Sequence, residues 1–189
     1  MKLRLRFLLS LIIACSTIGS VSAGYDTDAV NNAWLDWTNA ERAKYWVQAL
    51  SMSDSLNMTA LDWSKYSSLR WYIDHRRPGQ INYYDYKKIN AWFGSEWISF
   101  KNVKWTTFSE SIWWNVFVCK KDDCTQDLIK SIRSTFDMYL REKWKKYAPH
   151  FNSLVNKWFK QIGVWVTLDP KKKRYYITIH YATEVVALK

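Results

Sequence analysis

Glycine is scarce in this chain, at five residues in 189. Average usage would supply roughly 13. Three prolines accompany them, so a collagen-like or Gly/Pro-rich low-complexity polymer is excluded. No long apolar run follows the N-terminal stretch, which excludes a polytopic helical membrane protein. Nucleotide-binding glycine loops, an HExxH zinc helix and a GxSxG nucleophile elbow are all missing. What the chain has in abundance is tryptophan, 13 residues against those five glycines. Hydrophobic residues make up 48% and charged ones 24%, the balance of a folded globular protein of one ordinary domain.

The first 23 residues read as an export signal, with 24–189 as the domain it delivers. Lys2, Arg4 and Arg6 form a basic start, Phe7 to Ala14 an apolar stretch, and Val21-Ser22-Ala23 a small-residue cleavage site. Ile12-Ile13-Ala14-Cys15 also permits a lipoprotein signal that ends before Cys15, with lipid attached to that cysteine. An uncleaved anchor is the third possibility. All three place the domain outside the cytoplasm.

An oxidising compartment then governs Cys119 and Cys124, the two cysteines of the body, which are separated by Lys120-Lys121-Asp122-Asp123. One disulfide closing a small loop is the first expectation. Free thiols and a metal site are the alternatives. The net charge is +11. Without residues 1–23, 25 basic groups face 17 acidic ones, a net +8, which favours anionic partners such as cell-wall polymers, lipid headgroups or nucleic acid. The run Lys171-Lys172-Lys173-Arg174 reads as a solvated hairpin turn before it reads as a binding patch.

Hydrophobic spacing predicts a helix over 27–49 with Ala33, Trp37, Ala40 and Ala43 inward and Glu41 and Arg42 outward. A second is predicted over 60–74, capped by Asn57-Met58-Thr59, with Leu61, Tyr66, Leu69 and Ile73 inward. A third spans 84–93. Residues 97–103 alternate like a strand, and 106–112 fit a helical turn. Asp122-Asp123 precedes a long helix over 125–147, acidic at its start and Lys-rich at its end, stopped by Pro149. Residues 161–168 and 175–181 alternate with period two and predict an antiparallel hairpin. Helices first and a hairpin last give an α+β layout.

The segment from His150 to Val166, HFNSLVNKWFKQIGVWV, resembles the second signature of the CAP superfamily, the group of cysteine-rich secretory, antigen 5 and pathogenesis-related proteins. His150, Leu154, Val155, Phe159 and Ile162-Gly163-Val164 fall on the pattern of its bacterial, SCP-like exported members without a gap. Asn39 to Leu50 is similar to the first helix of that family, Ala60 to Tyr72 to its second, and Phe108 to Ile112 to its GENI motif. The resemblance implies an α-β-α sandwich with a small antiparallel sheet and a C-terminal hairpin.

The departures have a pattern of their own. Where the family carries glycine, this chain carries Trp46 and Trp165, and Trp158, Trp113 and Trp114 invite the same reading. With the glycine deficit, this is what a UGA codon that means glycine leaves behind when it is rendered as tryptophan. Bulky side chains in glycine positions should then show as local backbone strain. A genuinely Trp-rich core is the alternative.

The resemblance also implies a cleft with two His and two Glu that can hold a divalent ion such as zinc, for which imidazole and carboxylate are suitable ligands. His150 matches the second His and Glu110 the Glu of GENI. Glu142, eight residues before His150, is the candidate second Glu. His75 is the candidate first His, 35 residues before Glu110 and therefore needing an insertion. Each has a plainer alternative: helix capping for His150, a helix-start acid for Glu110, solvated charged faces for Glu142 and His75. His180, between Ile179 and Tyr181, reads as structural. The expected role is an extracellular binding module for a lipid, cell-wall polymer or protein, with a membrane tether if Cys15 is lipidated. A metal-assisted hydrolase at the same cleft is the first alternative, and a basic polyanion-binding module the second, with nucleic acid disfavoured by export.

Overall fold

The computed structural model describes residues 24–101 and 106–187. The expected export signal, Cys15 and the end of the strand expected over 97–103 lie outside the described residues.

The chain runs through α1 (Thr27–Ala43), β1 (Ser51–Met52), α2 (Asp54–Arg70), α3 (Tyr86–Ser95), β2 (Ile98–Phe100) and β3 (Phe108–Val116). It continues through α4 (Thr125–Arg141), a single 3-10 turn (Glu142–Trp144), α5 (Pro149–Leu154), β4 (Gln161–Asp169), β5 (Arg174–Ala182) and β6 (Val185–Ala187). Four strands form a sheet in the order β1-β4-β5-β3, and β2 pairs with β6 apart from it. The pair β4–β5 is antiparallel, as the hairpin pattern required, and β3 adds a second antiparallel pair to β5 that the sequence did not announce. Nor did it announce the parallel pair that the two-residue β1 adds to β4.

Alternation along β4 and β5 sorts the layers. Ile162, Val164 and Val166 with Tyr175, Ile177, Ile179 and Tyr181 share one buried cluster with Val30 and Trp34 of α1 and with Leu128, Ile132, Phe136 and Tyr139 of α4. The other face takes α2, whose approach is closest at Gly163. A Cβ there would stand 2.2 Å from the Leu56 carbonyl carbon and 2.4 Å from its Cβ, so only glycine admits the helix. Helices on both faces of a small sheet make the expected α-β-α sandwich.

Several local readings are corrected. α2 starts at Asp54, with Ser53 as its cap, and Thr59 is buried inside it. Its inward face is Leu56, Ala60 and Trp63, whereas Leu69 is exposed. On α1 the buried face is Val30, Trp34, Thr38, Glu41 and Arg42, and Ala40 and Ala43 are exposed. Arg42 turns inward because it has acceptors there. Its guanidinium donates to the carbonyls of Gln48 (2.7 Å), Leu154 (2.8 Å), Asn156 (3.1 Å) and Phe159 (3.0 Å). Residues 108–112 are strand, not a helical turn, because β5 supplies their backbone partners in unbroken register. α4 ends at Arg141 rather than Tyr147, since Glu142 is recruited to the next helix.

Cys119 and Cys124 form the expected disulfide, with Cα atoms 6.0 Å apart. Among the described residues, four non-glycine residues take positive φ: Trp46 (56°), Trp71 (73°), Trp97 (61°) and Lys173 (55°). Trp71 is the left-handed C-cap of α2, and the other two tryptophans follow α1 and α3. These are the places where helices end on glycine. All three side chains project into solvent, at 97%, 63% and 72% exposure for Trp46, Trp71 and Trp97. The strain expected at Trp46 is therefore present, and Trp71 and Trp97 share it. Trp165, Trp113 and Trp114 lie in strands and Trp158 in a turn, without it.

Candidate functional site

β3 is an edge strand, and the site lies along its free edge. The register places Glu110 opposite His180 of β5, and His180 opposite Gly163 of β4. These three form one row on the face that carries α2. Because glycine lets α2 sit low, Thr59 reaches into the row, its hydroxyl 2.9 Å from His180 Nδ1.

Glu110 is buried and its carboxylate is saturated. Oε1 accepts from His75 Nδ1 (2.8 Å) and Arg77 Nη1 (3.0 Å). Oε2 accepts from Arg77 Nη2 (2.6 Å) and His180 Nε2 (2.8 Å). Those four bonds take up its lone-pair directions. The Arg77 fork is held flat between Trp63 and Trp92, its central carbon 3.6 and 4.1 Å from the two ring centroids. Burial works against ionisation of Glu110. The Arg77 charge and the bonds from His180, His75 and Arg77 outweigh it and hold the carboxyl well below its ordinary range. For His180 burial wins and its pKa falls. A neutral ring that gives its Nε2 proton to Glu110 leaves Nδ1 to accept from Thr59.

The second pair forms across the cleft. Glu142 caps the start of α5 with Oε2, which accepts from the backbone N–H of His150 (3.0 Å) and Phe151 (3.3 Å). Its Oε1 accepts from His150 Nδ1 at 2.7 Å. The His150 ring stacks on Tyr139 at 4.1 Å, nearly parallel. One carboxylate thus ends one helix, starts the next and orients an imidazole.

A cavity of ≈ 610 Å³ joins the two pairs. His75, Glu110 and His150 line it, together with Ser109 and Ser153, whose hydroxyls bond each other at 2.8 Å. Tyr83, Tyr84, Tyr86 and Tyr147 form much of its wall, and Phe108, Ile112 and Trp113 supply apolar surface. His75 packs edge-on against Tyr83 and Tyr84. Among the described residues, the Nε2 atoms of His75 and His150 have no hydrogen-bond partner, and no three His, Cys, Asp or Glu side chains gather as a ligand group.

The four residues expected at the cleft therefore stand as two His–Glu pairs, His75 with Glu110 and Glu142 with His150. Arg77 and His180 belong to the first pair and were not foreseen as site residues. Arg77 looked like part of the charged Asp-His-Arg-Arg patch. The usable signal for His180 was its even register on β5, the face opposite the aliphatic one. As four direct ligands the set does not fit an ion, because Glu110 has no lone pair left. Two imidazoles, each with Nδ1–H held by a carboxylate, do fit the usual way a ligating histidine is oriented.

Comparison with known proteins bears on the fold that carries this site. No curated protein matches the sequence. An outer surface protein of Borrelia burgdorferi superimposes with a TM-score of 0.53 at 13% identity, over 81% of this chain and 91% of that one. An extracellular SCP-domain protein of Bacillus anthracis gives 0.55 at 16% identity, over 84% of this chain and 41% of that one. NaASP2, solved with Zn2+, gives 0.56 at 10% identity, over 83% and 80%. At such identities these likenesses speak for the fold. The model of the cysteine-rich secretory protein family matches residues 35–181, which span both His–Glu pairs, and the chain belongs to that family, the CAP domains.

Proposed function

We propose that this protein is an extracellular binding module whose β3-edge cleft takes an amphiphilic ligand and can hold a divalent ion between His75 and His150. One observation carries the reading. Two imidazoles from distant parts of the chain line a single open cavity, each with its Nδ1–H locked by a carboxylate and its Nε2 left over. The carboxylates act as orienting groups: each holds a ring by its Nδ1–H, which leaves Nε2 as the nitrogen available to a metal. A bound ion would supply Lewis acidity and a polar anchor at the cleft floor. The tyrosine and Phe108–Ile112–Trp113 walls suit the apolar body of a lipid-like molecule, and the Ser109–Ser153 pair suits its polar end.

Calorimetric titration with Zn2+ tests the ion site. One ion per chain is expected, with loss of binding in both His75→Ala and His150→Ala and retention in His180→Gln. Undiminished binding in the two alanine variants would overturn the assignment.

A further inference from the structure

The cleft mouth has a rim whose chemistry the site does not use. On one side, residues 143–147 read Lys-Trp-Lys-Lys-Tyr, and all five are exposed. On the other, residues 81–88 read Ile-Asn-Tyr-Tyr-Asp-Tyr-Lys-Lys, exposed at every position except Asp85. Tyr83 and Tyr147 line the same cavity, so the two segments flank one opening. Ile81 is 87% and Tyr147 79% exposed, a cost in water that nothing in the fold explains.

The charge is one-sided. These segments carry five lysines and a single carboxylate, Asp85, which is occupied in capping α3 through Lys88 N–H. Nearby Asp74 is bound by Arg76 at 2.8 Å, and Glu142 by His150 and α5. The rim therefore presents uncompensated positive charge interleaved with tyrosine and an aliphatic side chain.

We propose that this rim docks the protein on an anionic phospholipid surface, with the cleft opening toward the bilayer. Lysine ammoniums reach headgroup phosphates while tyrosine rings settle at the headgroup level, and Ile81 enters the acyl boundary. A soluble polyanion would use the lysines but gain nothing from Ile81, which is why a bilayer is favoured over a nucleic acid or acidic glycan. Docking is separable from ion binding, since no rim residue is one of the two imidazoles.

The test is co-sedimentation of the full chain with vesicles of phosphatidylcholine alone and of equal parts phosphatidylcholine and phosphatidylglycerol. Binding to the neutral vesicles measures the part of the attraction that needs no lipid charge, so the readout is the phosphatidylglycerol-dependent gain. Replacing Lys143, Lys145 and Lys146 together by Gln should reduce that gain at least about tenfold, since each basic residue near an anionic surface contributes severalfold. The same charge change at Lys171, Lys172 and Lys173 should leave it nearly intact. Ile81→Ser combined with Tyr83→Ser should also lower it. Equal losses from both lysine triples, or an Ile81/Tyr83 variant that binds like the parent, would overturn the proposal in favour of diffuse attraction or a polyanion site. Zn2+ affinity of the Lys143/Lys145/Lys146 variant should not change, which keeps this outcome distinct from that of the cleft.

Discussion

Arg77 meets Glu110 as a two-pronged pair, 3.0 and 2.6 Å across the two bonds, with both side chains buried. Removing the cation leaves the carboxylate without its main counter-charge. Arg77→Met should therefore destabilise the protein by about 3–5 kcal/mol, measured as a drop in the urea midpoint. The paired change Arg77→Met with Glu110→Gln should restore part of the loss, because no buried charge is then stranded.

The same cluster sets an acid limit. His180 has its pKa lowered from 6.5, so below that value the unfolded chain takes up a proton that the folded one refuses. Glu110 is held well below 4.5, so its contribution is present above that value and is lost as pH falls toward its folded pKa. Both effects make stability decline on acidification, beginning near pH 6.5 and steepening below 4.5. Thermal melts between pH 8 and 4 should show the decline, and Glu110→Gln should flatten its lower part. A Tm that is level across this range would contradict the assignment.

Trp46, Trp71 and Trp97 adopt the left-handed conformation with exposed side chains. Glycine at each should stabilise the protein by about 1 kcal/mol, the cost of that conformation for a residue with a Cβ. Trp63→Gly, at a buried site, should instead cost at least about 3 kcal/mol. Mass spectrometry of peptides from the protein in its own host should find glycine at 46, 71 and 97. Tryptophan there would refute the codon reading while leaving the stability predictions in place.

Arg42→Met should cost at least about 3 kcal/mol in chemical unfolding, since it strands carbonyls of Leu154 and Phe159 inside the protein. Arg42→Lys should recover little, because an ammonium has no planar fork to span four acceptors.

The hairpin was legible because alternation from Gln161 to Tyr181 is a local pattern, and His150 because it sits in a dense motif. The inward faces of α1 and α2 were not. Apolarity pointed to Ala40, Ala43 and Leu69, but burial followed partners: Arg42 has four carbonyls and Thr59 has His180. β3 was hidden because Ser-Glu-Ser interrupts its apolar residues, and its strand form comes from β5. Arg77 was missed for a related reason. A charged side chain is read as solvated unless its counter-charge and aromatic sandwich are known, and those lie 33 residues downstream and on two different helices.

The middle position of the sheet, between β4 and β3, is filled by β5, the last of the long strands to leave the ribosome. Neither flanking strand has its main partner until residue 182 has been made, and the acceptors of Arg42 lie 112 to 117 positions downstream for three of its four bonds. A nascent or truncated chain that stops short of β5 has a cation with nowhere to go and two unpaired strand edges. Closing the sheet must wait for nearly the whole polypeptide, because its pairings join segments far apart along the chain.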